Sequence, residues 1–187
     1  MIQKTIEELI RADDLALRQL QIVRDCGPVE AFVAAGFVRN RVWDSFYNST
    51  SAFPNADVDV VYFDAGDITP EQDYAYEAEL KNIDAETDWQ VRNQARMHHF
   101  HGYPPFASLE DGLKHWAETA TSVGVRLDHK DMMHFVAPFG FEDLEKHILR
   151  ITPTMKMKDP EGFDARLERK NWLARWPNLK VIRSGSI

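Results

Sequence analysis

Asp57 and Asp59 stand two residues apart in Asp57-Val58-Asp59-Val60-Val61, a run whose β-branched content is strand chemistry. In a strand, residues i and i+2 project from one face, so the two carboxylates lie side by side while Val58 and Val60 enter the opposite face. Like charges at that spacing repel, and a divalent cation between them is the usual remedy. A solvated strand entrance carries the same pattern, so metal binding and plain surface charge both remain open for the pair alone. A second feature is Ala35-Gly36-Phe37-Val38-Arg39-Asn40. A glycine ahead of a helix exposes backbone N–H groups at the positive dipole end, where a phosphate sits comfortably, and Arg39 adds a forked donor. The bland counterpart is a simple turn followed by a surface arginine.

Holding these residues requires a strand, a glycine turn, a helix and a second strand. Ala31-Phe32-Val33-Ala34 reads as a buried strand running through Gly36 into a helix from Val38 to about Tyr47. A polar loop with Asn48, Ser49, Pro54 and Asn55 then leads to a strand over Val58 to Phe63. Upstream, Thr5 and Glu8 form a capping box, and Ile6, Leu9, Ile10, Leu17 and Leu20 predict one helix up to Gly27-Pro28. Thr69-Pro70-Glu71-Gln72 opens a helix to about Ile83. Trp89 to Met97 reads as a strand turning into a short helix, and Ser108 caps a helix through Trp116. Val123 to Leu127 and Met132 to Ala137 form a hairpin, Phe141 to Leu149 and Asp164 to Trp172 are short helices, and Val181-Ile182 is a last extended piece.

At 187 residues the chain predicts one domain, with residues 1–28 an N-terminal helix and 150–187 a basic, tryptophan-containing tail packed on the core. The net charge of −8 argues against broad attraction to polynucleotide or anionic membrane. The balance is uneven, because residues 146–183 hold 10 Lys and Arg against 4 Asp and Glu, with Trp172 and Trp176 interleaved. That tail suits either a grip on phosphates or a helix with its cations outside. The single cysteine, Cys26, excludes an internal disulfide and a thiolate zinc cluster. With no apolar run of signal-peptide or membrane-spanning character, a cytoplasmic protein is expected. His98, His99 and His101 invite a zinc reading, but their spacing defines no three-ligand site. Walker loops and Gly-x-Ser-x-Gly elbows are missing, which removes the ATPase and acyl-enzyme readings.

Strand, small-Gly-x-x-Arg-Asn, helix, loop and Asp-x-Asp on a strand together resemble the polymerase-beta-like nucleotidyltransferase superfamily. Ala35 to Asp44, Asp57 to Asp64, Val91-Arg92-Asn93-Gln94-Ala95-Arg96-Met97-His98 and Ala137 to Leu144 are similar to a bacterial family of stand-alone nucleotidyltransferases, over residues 30–180. The resemblance implies an α/β (α+β) fold, a small mixed sheet flanked by helices. It also implies an NTP, Mg2+ or Mn2+ on Asp57 and Asp59, and transfer of NMP to an unidentified hydroxyl acceptor with release of pyrophosphate. On it, the N–H groups after Gly36, with Arg39 or Arg92, steady the departing phosphates, Asn40 is a further nucleotide-binding residue, and Asn93, Gln94 and Arg126 are candidates for base, ribose or acceptor contacts. The chain departs from the pattern at Ala35, where many members have a first glycine, and at Gln90, where a third carboxylate is common. Asp128, at the end of the Val123–Leu127 strand, and Glu118 are the candidate substitutes, of which Asp128 is placed with the catalytic residues. The rival expectation is a nucleotide- or RNA-binding protein that kept the fold without catalysis.

Overall fold

The computed structural model describes residues 2–47 and 57–183. Its centre is a five-stranded mixed sheet in the order β3-β2-β1-β4-β5, built from β1 (Phe32–Ala34), β2 (Val58–Tyr62), β3 (Trp89–Asn93), β4 (Gly124–Leu127) and β5 (Met133–Val136). Strand β1 pairs antiparallel with β2 and β4, while β2 and β3 run parallel. A parallel pair needs a crossover, and helix α4 (Pro70–Ile83) supplies it. Register places Val33 opposite Val60 and Val125, and Val60 opposite Val91. All four are fully buried, so one row of valines fixes one face of the sheet to the core and commits Asp59 to the other.

The expected single N-terminal helix is two, α1 (Ile2–Arg11) and α2 (Asp14–Cys26). Asp13 accepts a hydrogen bond from the Ala16 N–H at 3.0 Å, and this cap starts a new helix where periodicity alone reads straight through. Thr5 lies inside α1 rather than at its cap. Helix α3 (Gly36–Ser45) follows β1 and packs against β1, β2 and β4. After β3 come the short helix α5 (Gln94–Met97), a 3-10 turn (His98–His101) and α6 (Leu109–Leu113), which Ser108 caps as expected but which ends at Leu113 rather than running through Trp116. The loop expected around Asn48 to Asn55 lies outside the described residues.

The region expected as a helix from Phe141 to Leu149 holds only α7 (Glu142–Glu145). His147 adopts a left-handed φ of 56°, and Ile148–Arg150 becomes β6, paired in parallel with β7 (Lys180–Ile182). That pairing partner lies about thirty residues away in sequence, beyond any local signal. Between β6 and β7 lie α8 (Pro153–Lys158), α9 (Pro160–Lys170) and α10 (Trp172–Arg175). The helix expected over Asp164 to Trp172 is broken at Asn171, whose left-handed φ of 50° ends α9 and turns the chain into α10. Phe163, Leu167, Trp172 and Trp176 are buried, so the tail belongs to the core. Among the described residues no helix is long and apolar enough to cross a membrane.

Candidate active site

The turn from β1 into α3 passes through Ala35 at φ 55° and ψ −121°, a conformation that glycine adopts freely and alanine does not. Gly36 follows, and a Cβ there would come within 3.2 Å of Asn40 Nδ2. The first turn of α3 thereby opens toward the start of β2, where Asp57 and Asp59 stand. Both carboxylates line a cavity of about 780 Å3 together with Gly36, Asn40, Lys170 and Arg175. Burial, and then the neighbouring Asp57 charge, push the half-buried Asp59 carboxyl up to about 6, against the attraction of Arg166, Arg39 and Lys170.

Arg39 is nearly fully buried. It donates from Nη1 to Thr121 Oγ1 at 2.8 Å and from Nη2 to Asn40 Oδ1 at 2.9 Å, and lies 4.5 Å from the centre of the Trp172 ring. Burial lowers its pKa to about 10, which leaves it charged at neutral pH. It lines the cavity as a braced cation. Arg175 is braced too, donating from Nε and Nη2 to the two oxygens of Asp44 at 3.1 and 2.5 Å, while Trp176 Nε1 donates to Asp44 Oδ1 at 2.9 Å. These bonds clamp the tail onto α3. Lys170 is exposed and forms no ion pair among the described residues.

A second cavity of about 580 Å3 shares Ala35, Asp59 and Arg166 with the first, and adds Arg92, Gln94, Glu118 and several aromatic rings. Arg92 pairs with Glu77, and Gln94 Oε1 accepts from Trp116 Nε1 at 3.1 Å. Glu118, fully buried, accepts from Arg166 Nε at 2.6 Å through Oε1, and its Oε2 has no partner.

Of the residues singled out from sequence, Gly36, Arg39, Asn40, Asp57 and Asp59 meet around the first cavity, and Arg92 and Gln94 meet Asp59 in the second. Asn93 is buried and spent on the backbone, donating to the Asp64 and Asp67 carbonyls and capping α5 through the Ala95 N–H. Arg126 lies over the Phe32 ring and pairs with Glu30 at 3.5 Å, and lines neither cavity. Asp128 lines neither cavity. It closes the β4–β5 turn, accepting from His134 Nε2, Met132 N and Lys130 N, and these donors hold its carboxyl well below the usual range. The hairpin carries Asp128 away from the pair because its carboxylate is needed to tie the turn. On β3 it is Gln90 that stands beside Asp59.

No group of three or more His, Cys, Asp or Glu among the described residues is placed to hold a metal ion. Asp57 and Asp59 are thus a pair, one of them desolvated beside the other's charge. That donor set suits a divalent cation completed by phosphate and water oxygens. His98 is buried with Nδ1 on the Ala95 carbonyl at 2.7 Å, and the side chain of His101 lies outside the described residues. The residues missing from the sequence-derived site are Lys170, Arg166, Arg175 and Trp172, whose one signal is the basic, tryptophan-bearing tail.

A nucleotidyltransferase family model matches residues 21–181. The chain belongs to the nucleotidyltransferase family. A solved structure described as a CCA-adding enzyme head domain is 29% identical, with a TM-score of 0.84 over 97% of this nucleotidyltransferase and 96% of that chain. The Thermotoga maritima CCA-adding enzyme, solved with tRNA, matches at 13% identity and TM-score 0.59, covering 94% of this chain and 42% of that one. A CCA-adding enzyme solved with CTP matches at 13% and 0.56, covering 91% and 47%. These two share the fold, and this nucleotidyltransferase spans less than half of either. No curated protein matches it. It is an enzyme of the NTP-using transferase class on the nucleotidyltransferase head-domain fold.

Proposed function

We propose that this enzyme moves a nucleoside monophosphate from an NTP to a hydroxyl acceptor, with release of pyrophosphate, at the edge shared by the two cavities. The observation that carries the reading is that Asp59 lines both. A two-substrate transfer needs donor and acceptor to approach one reacting centre from different sides. The larger cavity suits the NTP, because the first turn of α3 and the uncommitted Lys170 ammonium offer positive potential to phosphates. A relative solved with CTP supports the same donor class. Arg39 and Arg175, already bonded, hold the wall and contribute charge without reaching out.

Asp57 and Asp59 would hold Mg2+ or Mn2+, which when bound neutralises phosphate charge and acidifies the acceptor hydroxyl. The acceptor oxygen forms a bond to the α-phosphorus as the bond from that phosphorus to the β-phosphate oxygen breaks. Pyrophosphate departs along the Lys170 side, and the hydroxyl proton passes to water. Asp128 and Arg126, which line neither cavity, take no part in this reading.

The test is Mg2+-dependent binding of each NTP, followed by pyrophosphate release with pooled acceptors. Lys170→Ala should raise the dissociation constant for NTP about tenfold, as loss of one charge-assisted contact does. NTP affinity left unchanged by Lys170→Ala but abolished by changes at Phe100 or Phe106, two of the rings that line the second cavity, would reverse the assignment of the two cavities.

A further inference from the structure

Resting on that reading, we infer that the second cavity takes an uncharged, planar ring compound bearing a hydroxyl as the acceptor. The cavity is walled by rings. Phe106 and His115 stack at 4.4 Å between centroids and 26° between planes, and Tyr103 meets His115 at 4.4 Å. At the mouth, Phe100 is 66% exposed, a large apolar surface left in water beside a site that continues to Asp59. Gly112 lets α6 close the back, since a Cβ there would come 3.0 Å from Gln94 Cβ and 3.3 Å from the Phe106 ring.

The polar groups select against charge. Both arginines lining the cavity are ion-paired, Arg92 with Glu77 and Arg166 through Nε with Glu118, which lowers the positive charge they offer a phosphodiester. Gln94 is committed to Trp116. What remains unmatched is Glu118 Oε2, buried and without a donor. Flat apolar walls with one unsatisfied acceptor atom recognise a ring that brings a hydrogen-bond donor. The volume of about 580 Å3 is that of a small-molecule pocket. An RNA end would bring phosphates beside two arginines that are already ion-paired, in a protein of net charge −8, and would meet Lys158, 5.0 Å from the Tyr103 ring centre, as the cation at that wall without an ion pair among the described residues. The acceptor's ring stacks in the cavity and its hydroxyl, at the Asp59 end, attacks the α-phosphorus with the bond changes given above.

The test uses the full chain with Mg2+ and a non-hydrolysable NTP analogue. Saturation-transfer NMR would be run with nucleosides, aromatic alcohols, monosaccharides, linear polyols and a short oligoribonucleotide as separate probes. Hydroxyl-bearing compounds with a planar aromatic ring should bind, sugars and polyols should not, and Phe100→Ala should weaken ring binding about tenfold while Phe100→Tyr retains it. Phe100 is exposed, so folding is not at risk, and the NTP analogue should bind all three proteins equally. Analogue binding with no ring binding, or preference for sugars or for the oligoribonucleotide over free rings, overturns the acceptor assignment and leaves the transferase reading intact. Failure of the analogue itself to bind overturns the reading on which the assignment rests.

Discussion

Replacing Asp59 by Asn should make the metal-free protein more stable, and the size of the gain follows from the site. Asp59 ionises in the folded protein at about 6 rather than 3.8, because burial and Asp57 disfavour its charge. A proton is therefore held more tightly by the folded state than by the unfolded one. The stability this provides is complete below pH 3.8 and is lost as pH rises through about 6. At about 1.4 kcal/mol for each pKa unit, the charged carboxylate costs about 3 kcal/mol at pH 8. Asn keeps the size and discards the charge. In EDTA the variant should gain about 3 kcal/mol at pH 8, or about 6–12 °C in Tm for a domain of this length, and about half of that near pH 5. Divalent cations narrow the gap, since they bind only the ionised pair. Mg2+ or Mn2+ should raise the Tm of the parent increasingly as pH climbs through about 6, and should leave Asp59→Asn unmoved. The assay is thermal denaturation by circular dichroism at pH 5, 6, 7 and 8, with EDTA and with each cation. A variant several degrees less stable at pH 8 would make the carboxylate a structural partner of Arg39 or Arg166. A variant that keeps the full cation response would move the ion elsewhere.

Ala35→Gly should stabilise the fold by about 1 kcal/mol, because φ 55° with ψ −121° strains any residue with a Cβ, and a urea midpoint that fell instead would refute the strain. Deleting residues 164–187 should abolish the cooperative melt, since Leu167, Trp172 and Trp176 leave the core with that segment; a truncated protein as stable as the parent would make the tail an independent arm.

Local pattern was enough wherever one stretch of chain decided its own structure. The alternating Asp57 to Val61 run reads as a strand with its carboxylates on one face because strand periodicity is local, and β2 spans Val58–Tyr62. Thr69-Pro70 reads as a helix start, and α4 begins at Pro70. The β4–β5 hairpin is legible because its strands are neighbours in sequence. The tertiary structure decided what depends on partners far along the chain. Ile148–Arg150 is a strand only because Lys180–Ile182 lies beside it. Asp128 offers the same carboxylate chemistry as Asp59, yet its surroundings oppose: three donors spend it on a turn, while Asp59 is desolvated against another acid. Lys170 and Arg175 reach the Asp57–Asp59 cavity because Asn171 bends the tail and Asp44 clamps it to α3. Residue type and spacing determined which groups are capable of chemistry here. Packing, desolvation and long-range pairing determined which of them share a cavity, since these are properties of neighbours that the chain brings together only when it folds.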